Sequence, residues 1–133
     1  MGCYDGQTAT LFQTIIQSKA SKKKLILFDN FKHDIGNKSD IKQELISNFK
    51  SRNLDIPTIV EGYFHDTLSG NLPGKICFLH IDCGYGGDVT EHKNTIVHIL
   101  KNTYDRLSPG AIVALMDYHI PGVTFSGVIP IPV

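Results

Sequence analysis

Carboxylates and glycines stand at the ends of the apolar runs in this sequence, where they could meet a ligand. The run Lys24 to Phe28 ends on Asp29, His80-Ile81 leads into Asp82, and Ala111 to Met116 leads into Asp117. Ahead of them all lies Gly2-Cys3-Tyr4-Asp5-Gly6, followed by a helical pattern. Small residues in such a turn let backbone N–H groups approach a ligand, and a helix amino terminus favours a negative group. Asp29 lies about 23 residues beyond Gly6, close to the roughly 20 at which a strand-ending carboxylate accepts ribose hydroxyls. A helix N-cap or a solvated loop would equally use an Asp there. If the runs ending in Asp82 and Asp117 are neighbouring parallel strands, the two carboxylates lie side by side. Such a pair can hold Mg²⁺ through oxygen ligands; two separate loop carboxylates bonded to backbone N–H groups are the alternative. His80, inside a buried run, reads as a core histidine rather than a ligand. Gly84-Tyr85-Gly86-Gly87 offers a competing dinucleotide loop of the NAD type. Its third glycine, however, falls at Val89, and no carboxylate closes a strand about 20 residues later. The Lys22-Lys23-Lys24 run reads as a solvated turn.

These residues need elements to position them, and the pattern alternates between two periods. Segments 24–29, 58–63, 75–82 and 111–117 are continuous apolar runs, which fit strands buried on both faces of a parallel sheet. Residues 8–19 place Phe12, Ile15, Ile16 and Lys19 on one helical face. Residues 40–53 do so with Ile41, Leu45, Ile46 and Phe49, with Ser39 as N-cap. A long helix over 89–107 carries the stripe Val89, Ile96, Val97, Leu100, Tyr104 and Leu107, and Pro109-Gly110 close it; a shorter one is expected over 66–72. Strands alternating with helices predict an open α/β sheet joined by crossovers. The apolar segment 123–133 carries Pro130 and Pro132 and reads as an extended edge or loose end.

Composition bounds the function classes. The chain has 133 residues, 41% hydrophobic and 20% charged, which suits one domain with a packed core. Thirteen basic residues balance 13 acidic ones, which argues against a nucleic-acid or anionic-membrane binder. The longest apolar runs are about seven residues, against roughly 20 for a membrane span. No signal peptide is visible and the three cysteines have no framework spacing, so a reducing cytoplasm is expected.

Taken together, the segments resemble the macrocin O-methyltransferase (TylF-type) family of S-adenosylmethionine-dependent methyltransferases. The likeness runs from Gly2 to about Gly122. It is carried by Phe78-Leu79-His80-Ile81-Asp82-Cys83, then Tyr104-Asp105-Arg106-Leu107-Ser108-Pro109-Gly110-Ala111-Ile112, and then Asp117-Tyr118 with Pro121-Gly122. Leu27 to Phe31 and Gly62 to Leu68 match further family segments. The resemblance implies a Rossmann-like methyltransferase sheet, mostly parallel, with helices on both faces. Residues 1–133 would form a single partial domain lacking the first strand and the last strands. It implies a transferase that moves a methyl group to a hydroxyl of a sugar or other natural product. Gly2 and Gly6 would line the methionine part of S-adenosyl-L-methionine, and Asp29 with Asn30 would take its ribose. Gly62, Tyr63 and Phe64 would border the adenine, Asp82 would complete the cofactor site, and Asp82 with Asp117 would bind Mg²⁺. Two departures bear on catalysis: Gly84 stands at the family's general-base position, and Met116 replaces one metal carboxylate. His119 is the nearest substitute base. A non-catalytic cofactor- or nucleotide-binding module is the alternative. Without a first strand, the 24–29 and 75–82 strands either pair directly or leave a gap that a partner fills. Exposed sheet edges of that kind favour a homo-oligomer.

Overall fold

The structure, a computed structural model, describes residues 1–32, 40–83 and 88–116. Four helices and four strands alternate along them: α1 (Gln7–Ser18), β1 (Ile26–Asp29), α2 (Ile41–Ser51), β2 (Thr58–Glu61), α3 (Phe64–Asn71), β3 (Ile76–Ile81), α4 (Val89–Thr103) and β4 (Leu107–Leu115). A 3-10 turn, Tyr104–Arg106, joins α4 to β4. The expected α/β order is present, and both described strand pairs are parallel. β1 pairs with β2 from Ile26↔Thr58 to Asp29↔Glu61, and β3 pairs with β4 through Ile81↔Leu115.

Because successive strand side chains point to opposite faces, Leu27 and Phe28 serve different cores. Leu27 packs with Ala9 of α1 and with Leu45 and Phe49 of α2. Phe28 packs with Leu68 of α3, Ile99 of α4, and Ile76, Leu79 and Ile81 of β3. Helices therefore cover both faces, and the second cluster ties the two strand pairs together through side chains.

β1 and β3 do not hydrogen-bond to each other. The pairs form two separate two-stranded sheets, β1-β2 and β3-β4. At the carboxyl ends of these strands the gap is spanned by the first two residues. Gly2 N–H donates to the Phe28 carbonyl (2.9 Å), the Met1 ammonium donates to the His80 carbonyl (2.6 Å), and Asp82 N–H donates to the Met1 carbonyl (2.8 Å). One strand position lies between them, so β1 and β3 stand two ladder spacings apart, about 9.6 Å. Direct pairing has not closed the gap.

Several local expectations are corrected. α2 is capped by Asp40, whose carboxylate accepts from Gln43 N–H (2.9 Å), not by Ser39, which lies outside the described residues. On α1 the buried positions are Ala9, Thr10 and Gln13, while Ile15 is 51% exposed and Lys19 is the exposed C-cap. The Gln17 carboxamide explains part of this: it accepts from Gln13 and from Asp55 N–H, turning a polar stripe inward. On α4, Ile99 and Thr103 are buried, Ile96 and Leu100 pack at the edge, and Val89, Val97 and Tyr104 face outward. The Thr103 hydroxyl is accommodated inside because it donates to the Ile99 carbonyl (2.9 Å). α4 starts at its expected place, where the Asp88 carboxylate accepts from Thr90 and Glu91 N–H, bonds that hold its pKa below the ordinary value. β4 begins at Leu107, before Pro109-Gly110. Leu107 pairs with Ile76 and Ile112 with Phe78, so proline and glycine fall in the register shift, where a missing ladder donor does no harm. The 123–133 segment lies outside the described residues.

The Leu27 core rests on Phe49, which has no exposed surface. Phe49→Ala is expected to lower unfolding free energy by about 3–5 kcal/mol in urea titration. Leu11→Ala, at a 57% exposed position, is expected to stay within about 0.5 kcal/mol.

Candidate functional site

The loop Gly2–Gly6 takes three left-handed residues, Gly2 (φ 78), Tyr4 (φ 46) and Gly6 (φ 81). Glycine tolerates this conformation, but a tyrosine does not adopt it without local support. The support is Asp29. Its carboxylate is 2% exposed. Oδ2 accepts from Cys3 N–H (2.5 Å) and Tyr4 N–H (3.0 Å), and Oδ1 accepts from Phe31 N–H (2.8 Å). Phe31 is itself left-handed (φ 53). One carboxylate thus holds the turn before α1 and the turn after β1. The Asn48 amide of α2 secures the same loop by donating to the Asp5 carbonyl (2.8 Å).

Around this loop lies a cavity of about 1330 Å³ that opens where β1, β2 and β3 end and continues down between β1 and β3. Gly2, Asp29, Asn30, Gly62, Tyr63, Phe64 and Asp82 all line it, so seven residues singled out in the sequence share one rim. Gly6 does not. It is the N-cap of α1 and lies against Leu45, whose Cγ would be 2.8 Å from an added Cβ. Its Cα side is packed against α2. Gly2 is required where it is, since a Cβ there would overlap the Asp82 carbonyl. Gly62 (φ 138) is similarly tight, its would-be Cβ lying 2.7 Å from Thr67 Cγ2.

Asp29 therefore lines the rim chiefly as the support of the loop, with three backbone donors on its two oxygens. Beside it, half-buried Asn30 accepts from Lys32 N–H (3.1 Å). Tyr63 is 49% exposed, its ring stacked on His65 (centroids 5.6 Å, 25°) with the Lys32 ammonium 5.4 Å from its centroid. The Asp5 carboxylate, 8% exposed, was missed by sequence reasoning. It accepts from Gln7 N–H (3.4 Å) and from the Gln7 side chain (3.3 Å). An Asp two residues before a helix start is an N-terminal signal that could have found it. Lys23 and Lys24, read as a solvated turn, are exposed as expected but also line the lower cavity.

The metal expectation fares less well. Asp117, His119 and Gly84, together with the Gly84–Gly87 dinucleotide loop, lie outside the described residues. Among the described residues no group of three or more His, Cys, Asp or Glu could hold a metal. β3 and β4 are neighbours as anticipated, but next to Asp82 in the ladder comes Met116, whose N–H donates to the Ile81 carbonyl (2.8 Å). A thioether is a poor ligand for a hard cation such as Mg²⁺.

Two titratable groups on the rim are shifted. Burial pushes the Cys3 thiol up to about 11, with Asp29 adding to the rise and the Met1 ammonium opposing it. Cys3 therefore stays a protonated, inert thiol. His80, expected in the core, is half-buried and lines the cavity. Its ring packs edge-on to Phe12 (5.4 Å) and lies near Phe78 (6.5 Å). Burial lowers its pKa below 6.5, helped by the Met1 ammonium and opposed by Asp82.

No family model matches the chain, and no curated protein matches it. Among solved structures, it is similar to that of the O-methyltransferase NovP, with a TM-score of 0.69 and 23% identity. The match covers 86% of this chain and 54% of that one, so the chain spans about half the length of NovP. Among the described residues no helix is long and apolar enough to cross a membrane. At this identity the comparison establishes the fold alone: over the matched residues the chain shares a Rossmann-like α/β fold with NovP.

Asp29→Asn replaces one oxygen that accepts backbone N–H groups by a donor. It is expected to cost about 1–3 kcal/mol in urea denaturation and to speed hydrogen exchange at Cys3 and Tyr4; unchanged exchange would contradict the anchoring role. For His80 the folded pKa lies below the unfolded one, so the unfolded chain binds the proton first. Stability is then complete above pH 6.5 and falls as pH drops through it. His80→Phe should flatten the decline in Tm between pH 7.5 and 5.5, whereas parallel declines would remove His80 from the account.

Proposed function

We propose that this chain is the cofactor-binding part of an S-adenosylmethionine-dependent O-methyltransferase of the macrocin (TylF-type) kind. The observation that carries the reading is the convergence of Gly2, Asn30, Gly62–Phe64 and Asp82 on one rim at the strand ends, the place where open α/β sheets bind ligands. The fold likeness supports it. So does the charge of the rim. Asp5 and Asp82 line it, and the Asp5 carboxylate occupies the amino terminus of α1 where a pyrophosphate would otherwise sit. Such a site suits a sulfonium cation bearing a ribose better than an anionic dinucleotide.

In this reading the backbone of the Gly2–Gly6 loop borders the methionine end of the ligand. Asn30 offers its amide to the ribose hydroxyls beside the Asp29 support, and Gly62, Tyr63 and Phe64 border the adenine. When bound, the cofactor supplies an electrophilic methyl group, whose transfer needs an acceptor oxygen held in line with the carbon–sulfur bond. The acceptor proposed is a hydroxyl of a sugar or other natural product. Since the described residues do not form a donor set for Mg²⁺, no step is assigned to the metal. Homo-oligomerisation belongs to the same proposal.

Isothermal titration with S-adenosylmethionine and S-adenosylhomocysteine is expected to give saturable binding of both, unchanged by a chelator. NAD is expected to give no heat. Heat with NAD and none with either sulfur nucleotide would overturn the reading in favour of a dinucleotide-binding module.

A further inference from the structure

Among the described residues, four that carry a side chain stand in the left-handed region: Tyr4 (φ 46), Ala20 (φ 46), Phe31 (φ 53) and Asn53 (φ 56). Each costs free energy that a glycine there would not, so each calls for a physical reason. Ala20 and Asn53 end helices. Ala20 N–H donates to the Gln17 carbonyl (2.9 Å) and Asn53 N–H to the Lys50 carbonyl (3.0 Å), closing the last turns of α1 and α2. Phe31 packs against the Leu27 core. Tyr4 differs from all three. It belongs to neither core cluster, is half-buried, and lines the cavity.

The surroundings hold this tyrosine in place from both sides. Asp29 Oδ2 accepts from Tyr4 N–H (3.0 Å), and the Asn48 amide fixes the next residue by donating to the Asp5 carbonyl (2.8 Å). Gly6 N–H closes the turn on the Cys3 carbonyl (2.9 Å). A glycine would adopt the same backbone without such support. Conformations that the rest of the structure must over-determine gather where a side chain serves a ligand. The location agrees, because Tyr4 shares the rim with Asn30 and Gly62, and Asp5 and Asp82 add two carboxylates to it. An aromatic ring in an acidic rim attracts a cation, since the face of the ring is the negative pole of its quadrupole.

We infer that Tyr4 is the specificity-determining residue by which this site tells a sulfonium from a thioether. Its ring takes the positive centre of the ligand, and the left-handed backbone holds it at the rim. This rests on the methyltransferase reading and deepens it, because S-adenosylmethionine differs from S-adenosylhomocysteine by one methyl group and one positive charge. The ring therefore adds to the hold on the substrate and not to that on the product, which favours exchange of one for the other after transfer.

The test is calorimetric titration of the full chain with both sulfur nucleotides, for the wild type and three variants. Tyr4→Phe keeps the ring and is expected to keep the ratio of the two affinities. Tyr4→Leu keeps apolar bulk without a ring, and Tyr4→Gly removes both and relaxes the backbone. In these two the ratio should shift against S-adenosylmethionine by about tenfold. The urea midpoint of Tyr4→Gly should hold or rise, because the left-handed strain disappears with the side chain. A lower midpoint would make the ring a packing element, and an unchanged ratio in Tyr4→Leu and Tyr4→Gly would remove it from cation recognition. Either result overturns the inference and leaves the methyltransferase reading standing. A wild type that binds neither nucleotide overturns that reading, and the inference with it.

Discussion

A buried carboxylate with three backbone donors sets the geometry of this molecule. Asp29 sits at the end of β1 with almost no exposed surface, and burial of an ionised group is tolerated only where hydrogen bonds replace water. The donors come from Cys3 and Tyr4 on one side and Phe31 on the other. Tyr4 and Phe31 both have positive φ, a conformation of roughly 1 kcal/mol or more for residues with a side chain. Charge-assisted bonds of about 1.5–3 kcal/mol each are large enough to hold it. The rim of the cavity follows from this. Once the loop is folded over Asp29, Gly2 lies against the Asp82 carbonyl and joins the β1 end to the β3 end.

The same junction determines how the two sheets relate. Met1 and Gly2 hold β1 and β3 apart at one end by occupying a strand position. The Phe28 cluster holds them together on one face without backbone bonds. Side-chain packing is non-directional and can hold two separate sheets together, whereas backbone hydrogen bonds need a partner at a fixed spacing. That difference is why a cavity remains where the walls are apolar.

Much of this was legible in the sequence. Continuous apolar runs ending at Asp29 and Asp82 marked strands of a parallel sheet, and those residues do come to one rim. The Ile41, Leu45, Phe49 stripe is buried as read. The apolar faces of α1 and α4 were misjudged because periodicity counts hydrophobic residues. Gln13 and Thr103, by contrast, enter the interior by satisfying their polar atoms locally. Pro109-Gly110 looked like a helix stop, and only pairing with β3 shows that the strand passes through them. Gly6, read only as part of a ligand loop, is also where Leu45 of α2 packs, a contact that spacing does not reveal.

What residue order alone determined is the α/β alternation and the placing of carboxylates and glycines at strand ends, since these depend on local periodicity and on turn chemistry. Tertiary structure decided which partner each of those groups takes. Asp29 is turned to the backbone of a loop about 25 residues away, and β1 is kept from β3 by the first two residues. Such choices depend on which donors arrive at a buried acceptor in three dimensions, and one-dimensional spacing does not contain that information.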